Sequence, residues 1–211
     1  MFQKIFLLAL VVLQSACTQP TTSAQFTSEG IRPGLEDNFD YASMSPVLGK
    51  VGRWTLLQNG VESSSISLEI SRRADGLFEH RGTRQALSNS ARNSELYALT
   101  DNARRSVLVR TNEQTITYEP HDCTNMLGQC RTVRTVTRPD GAVDEQHLIV
   151  QSSVSGGVWH KVMRFDPTSD PDGRSGVFVE SYYSNAADGF FIDVRSVSAS
   201  ARRLEWRRED L

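Results

Sequence analysis

The chain lacks the local signatures that announce a known chemistry. It has no Gly-x-Ser-x-Gly elbow, no glycine loop that would cradle a phosphate and no Ser-x-x-Lys pair. These absences remove the common nucleophile and nucleotide motifs. Four histidines, His80, His121, His147 and His160, are scattered without a His-x-x-x-His or Glu-x-x-His spacing, so no metal site is legible along the chain. Lysine is nearly absent: Lys4, Lys50 and Lys161 are the only three, arginine supplies the other positive charges, and the formal net charge is −2. Such a balance excludes nucleic-acid binding driven by overall charge. The 38% hydrophobic fraction is low, and the Ser/Thr-rich remainder suits strands with one wet face.

The one sustained apolar run comes first. Residues 1–4 carry Lys4, and residues 5–13 (IFLLALVVL) are continuously apolar. Nine helical residues reach about 14 Å, well short of a bilayer core, and match the apolar region of a signal peptide. The following Leu13-Gln14-Ser15-Ala16-Cys17 resembles the lipobox of bacterial lipoproteins, departing from it at Gln14, where that family prefers an aliphatic residue. The resemblance implies cleavage before Cys17 and lipidation of its sulfur; the competing reading is ordinary cleavage after Ala24. Thr18 follows in place of the aspartate that favours inner-membrane retention, so the resemblance implies an outer-membrane address facing the periplasm. The expected organisation is a signal peptide over 1–16, a lipidated Cys17 with a flexible tether over 17–46, and a single β-rich domain over 47–211. The tether is polar, contains Pro20, Pro33, Gly30 and Gly34, and extended would reach roughly 90 Å.

Three cysteines leave one odd thiol in an exported protein. With Cys17 lipidated, Cys123 and Cys130 remain to form a disulfide across the surface loop TNMLGQ. Metal binding with nearby His121 is the alternative, but Cys-x6-Cys is the wrong spacing for a zinc knuckle and no second pair exists.

From residue 47 onward, turn dipeptides punctuate short alternating runs. Asn59-Gly60 is the strongest hairpin signal, and Asp75-Gly76, Asp140-Gly141, Gly156-Gly157, Asp172-Gly173 and Asp188-Gly189 continue the series. Residues 85–97 alone suggest helical periodicity. The pattern predicts an all-β fold, an antiparallel up-and-down meander of roughly nine or ten strands closing into a small barrel or a strongly curved sheet. A barrel of about eight to ten strands fills its interior with side chains or holds one small ligand.

Gly52-Arg53-Trp54 at the first strand resembles the lipocalin Gly-x-Trp signature, and the expected layout is lipocalin-like. In that family the tryptophan closes the barrel floor and a late-strand arginine packs on the indole. Arg202, Arg203, Arg207 and Arg208 are the late candidates here. The alternative is an ordinary core tryptophan. The stretch 166–173 (DPTSDPDG) reads as a plain turn rather than a calcium loop, since it has neither the acidic start nor the terminal glutamate of an EF-hand. In the last strand Leu204 and Trp206 share one face while Arg203, Glu205 and Arg207 line the other. That arginine face is either solvated or a patch for lipid headgroups or an acidic partner.

These observations point to a non-catalytic lipoprotein of the cell envelope, tethered to the membrane by its N-terminal lipid and binding a small or lipidic ligand in its barrel. No cofactor, metal or nucleic acid is implied. Trp54, Trp159 and Trp206 are the candidate ligand-binding residues. The alternatives are an envelope scaffold or assembly factor docking onto a protein partner through a bare strand edge or the arginine patch, and a hydrolase whose groups meet only in space.

Overall fold

The computed structural model describes residues 47–87, 92–155, 158–186, 188–198 and 200–210. The signal peptide, Cys17 and the tether lie outside the described residues.

Twelve strands follow one another: β1 (Val51–Gln58), β2 (Val61–Arg72), β3 (Phe78–Ala86), β4 (Ser94–Thr100), β5 (Ser106–Thr111), β6 (Thr115–Glu119), β7 (Gly128–Thr137), β8 (Val143–Ser155), β9 (Val158–Phe165), β10 (Val177–Asn185), β11 (Phe191–Ser198) and β12 (Arg203–Arg208). Each pairs antiparallel with its chain neighbours, and β12 returns to pair with β1 from Trp54↔Arg208 to Gln58↔Leu204. The all-β, up-and-down barrel is therefore closed. Turn chemistry explains the meander: Asn59 and Gly60 both take positive φ, 53° and 82°, which the tight β1–β2 hairpin demands and which asparagine and glycine tolerate best.

The strand count exceeds the sequence expectation, and the two missed strands are β3 and β4. The helical periodicity expected over residues 85–97 fails among the described residues there: Gln85 and Ala86 end β3, and β4 begins at Ser94. β3 hides its identity because its inward positions are polar as well as apolar. Phe78, His80, Gly82 and Arg84 stand in register with Arg72, Ile70, Leu68 and Ile66, and Arg84 Nε donates to Ser64 Oγ at 2.9 Å. A strand with polar side chains on both faces shows no alternation of hydrophobicity.

The larger apolar side chains of the two core clusters point inward, and much of the outer face is charged or polar. Glu79, Arg81 and Thr83 on β3, and Arg203, Glu205 and Arg207 on β12, line the outer face. No helix among the described residues is long and apolar enough to cross a membrane.

The interior divides into two packed ends. Trp54, Leu56, Ile66, Ile70, Phe78 and Phe190 form one cluster; Cys123, Leu148, Val150 and Met163 form the other. The second end is filled partly by the 3-10 segment His121–Asn125, between β6 and β7, whose last three residues are buried. Cys123 and Cys130 are bonded, with Cα atoms 5.5 Å apart. The expectation of a surface loop fails for its first half. Cys123 is fully buried, while Met126 and Leu127 remain exposed. The segment turns inward because the core offers Cys123 apolar neighbours and the backbone finds partners there: Thr132 Oγ1 donates to Pro120 O at 3.0 Å.

Candidate functional site

The floor of the barrel is built on Gly52-x-Trp54. Residues two apart share a strand face, so the indole lies back over Gly52, where a Cβ would sit 2.5 Å from the ring. Trp54 is 1% exposed, and its Nε1 donates to Phe191 O at 3.0 Å. Of the four late arginines, Arg208 is the one that reaches it. Its guanidinium lies 5.3 Å from the Trp54 ring and 4.9 Å from Phe190, with the side chain fully buried. Asp188 receives Arg208 in a two-point pair at 3.1 and 2.8 Å, and Lys50 at 2.7 Å. Burial alone would raise the Asp188 pKa, but hydrogen bonds from Arg208 and Lys50 outweigh it and hold the carboxyl well below the usual range. The other face of β12 is solvated, and Arg207 pairs with Glu205 there at 3.0 Å.

Above this floor the lumen holds a cavity of about 290 Å³. Its walls are mostly apolar, with Leu68, Ile70, Leu96, Phe190 and Trp206 among them. Its polar lining includes His80, Thr100, Arg104, Ser106 and Arg110. His80 shares a 2.9 Å hydrogen bond with Thr100 Oγ1. Burial, reinforced by the charge of Arg104, pushes the imidazole down to about 4, so it is neutral at pH 7. Arg104 is 4% exposed; its NH1 donates to Gly189 O at 3.0 Å. Its backbone is left-handed, with φ of 61°, a conformation costing about 1–2 kcal/mol for a residue with a Cβ.

A second recess of about 190 Å³ shares Arg104, Ser106 and Phe191 with the first. Trp159, Lys161 and Tyr183 wall it on the strand side, and Thr124 and Asn125 of the disulfide-held segment wall it on the other. Lys161 Nζ reaches Thr124 O at 3.3 Å and lies 5.1 Å from the Tyr183 ring. Asn125 Nδ2 donates to Ala103 O at 2.7 Å, and Ser106 N to Thr124 Oγ1 at 2.6 Å. The bonded segment and the turn that carries Arg104 therefore brace each other.

All three sequence candidates, Trp54, Trp159 and Trp206, line one recess or the other. Phe191 joins them through a β-bulge between Ser184 and Asn185, which places Asn185 opposite Phe191 and re-aims its ring inward. Tyr182 alone of the late aromatics turns outward, stacked 4.3 Å from His160, with both hydrogen-bonded to Glu180. Sequence reasoning missed His80, Arg104, Ser106, Lys161 and Tyr183. Arg104 in particular sits in a polar turn (DNARR) that reads as solvated.

Two ion-site readings fail on geometry. Asp101, His121 and Asp122 bring their ligand atoms within 4.8 Å of one another. The Arg105 guanidinium already occupies the cation position, 2.6 Å from Asp101 and 2.9 Å from Asp122. In the 166–173 turn, Asp166 accepts from Thr168 N and Oγ1, and Asp170 from His147 N, Asp172 N and Arg174. Those carboxylates are spent on the loop itself, as the plain-turn reading expects.

No family model, curated protein or solved structure matches the chain.

Proposed function

We propose that the barrel is a non-catalytic carrier or receptor for a small, mostly apolar ligand, held in the lumen between Trp54, Trp206 and Phe191. The cavity carries this reading: it is concave, largely apolar and furnished with a few polar groups, His80 and Arg104 among them, the composition of a small-molecule site. His80 in its neutral form adds no charge to the wall. Closure of β1 on β12 leaves no unpaired strand edge there for a protein partner to extend, which weighs against edge docking as a scaffold.

The residue 1–17 pattern supports export and lipid anchoring at Cys17, with the barrel held in the periplasm at the outer membrane. The test is a thermal-shift screen of fatty acids, phospholipids, isoprenoids and haem. A ligand bound by the native state alone stabilises it by about 2.7 kcal/mol at a hundredfold excess over Kd. Such a gain raises the melting temperature by several degrees. No shift from any class would contradict the proposal.

A further inference from the structure

We infer that the ligand is an uncharged apolar alcohol, its hydroxyl paired with the ring nitrogen of His80 that Thr100 does not use and its body lying against Leu68, Leu96 and Trp206. This inference rests on the lumen-binding reading and specifies the ligand's chemistry.

His80 enters the larger cavity from β3, in register with Ile70 on β2 and Ala98 on β4. Ala98 is too short to cover an imidazole, and Gly82, the next inward position of β3, has no side chain to add. The ring is thus left open to the cavity on that side. Its Nε2 shares the 2.9 Å hydrogen bond with the buried Thr100 Oγ1. Among the described residues the other ring nitrogen, Nδ1, has no hydrogen-bond partner. Nor is it sealed in protein, for the buried side-chain atoms without a partner belong to Arg104, Arg134, Ser152, Ser184 and Arg195. The cavity is therefore the space from which Nδ1 can be satisfied, and leaving such an atom unpaired away from water is costly.

What remains unsatisfied selects a hydroxyl. The imidazole is neutral at pH 7, so one of its nitrogens donates and the other accepts. Thr100 Oγ1 can give or take the proton it shares, which fixes neither tautomer. The open nitrogen is an acceptor in one tautomer and a donor in the other. A ligand hydroxyl answers both, whereas a carboxylate or a ketone answers only the second. Ser106 adds a hydroxyl of its own to the same wall. The charged members of the lining are already engaged. Arg104 NH1 donates to the Gly189 carbonyl, and Arg110, exposed, lies 4.7 Å from the Tyr97 ring. An uncharged head is the one for which the lining keeps a partner, and the apolar walls around it take the rest of the molecule.

Trp54 and Trp206 both line this cavity, so bromine on an alkyl chain should quench their fluorescence when it enters. Purified full chain would be titrated at pH 7 with ω-bromodecanol, bromodecane and ω-bromodecanoate. The alcohol should bind about fivefold or more tighter than bromodecane, the difference expected for one net hydrogen bond, and no more weakly than the carboxylate. In His80→Leu the advantage over bromodecane should vanish. Equal affinity of alcohol and bromodecane, or an undiminished gap in His80→Leu, would overturn the pairing with His80 while leaving lumen binding intact. A carboxylate bound tighter than the alcohol would overturn the uncharged head. Quenching by none of the three would reject lumen binding itself. The comparison among ligands needs no variant, so a misfolded His80→Leu leaves it decisive.

Discussion

The Arg208 guanidinium stacks over the Trp54 indole at 5.3 Å while Asp188 holds it from the far side at 2.8 Å. The pair joins the first strand of the barrel to the last, at Trp54↔Arg208 of the closing ladder. Removing either partner opens the floor. Without Arg208, Asp188 keeps only Lys50 and the Phe190 N–H, and Asp210 loses its pair as well; such breakage costs about 3–5 kcal/mol. Arg208→Met should therefore destabilise by about that amount in urea denaturation, and Trp54→Ala by a similar about 3–5 kcal/mol through cavity formation. Arg208→Lys should rescue little, because a lysine cannot make the two-point pair. A loss under about 1 kcal/mol for Arg208→Met would contradict its closing role, since exposed pairs cost no more than that.

His80 should make the barrel acid-sensitive before its carboxylates do. Its folded pKa, about 4, lies below its ordinary value of 6.5. Between those values the unfolded chain binds more protons than the folded one, so stability falls as pH drops from 6.5 through 4. The group's share is at most about 3 kcal/mol. Melting temperature followed against pH should decline over this window, and His80→Leu should flatten the decline. Below pH 4 a second loss should begin, because Asp170, held down to about 2 by Arg174, must then be protonated on unfolding.

Reducing Cys123–Cys130 should loosen the wall of the smaller recess. The bond closes a short ring, for which loop entropy gives roughly 2–3 kcal/mol. Because Thr124 and Asn125 follow Cys123 into the interior, Cys130→Ala should lower stability by about that amount. It should also speed hydrogen exchange at Ser106 N, whose partner is Thr124. Peptide mapping without reductant should recover the two cysteines linked; two free thiols in protein from the envelope would contradict the pairing.

Much of this architecture was legible. Asn59-Gly60 marked the first hairpin, the alternation of Ile66, Leu68 and Ile70 marked the inner face of β2, and Gly52-x-Trp54 pointed to a late arginine. Register was not legible. Phe190 and Phe191 are adjacent, yet both reach the interior because a bulge breaks the alternation at Asn185. Phe178 likewise sits at a register shift between Val177 and Val179, and packs 5.6 Å from Phe165. Arg104 and His80 were hidden for a different reason: a polar residue turned inward by a closed sheet looks, in one dimension, like any residue turned out.

The proposed anchor makes its own prediction. Cys17→Ser should release the chain from membranes, since a single acyl chain binds only marginally and stable anchoring takes more than one signal. An unchanged membrane fraction without any lipid adduct would contradict lipidation.

Native mass spectrometry of the protein taken from its own envelope, without detergent exchange, tests the central claim most directly. Lumen binding predicts one small molecule retained per chain, lost in Trp206→Asp or Leu68→Asp variants that keep the strand-rich circular dichroism of the parent. Protein that emerges empty, from an extract containing the four ligand classes and with no mass added by any of them, would contradict it.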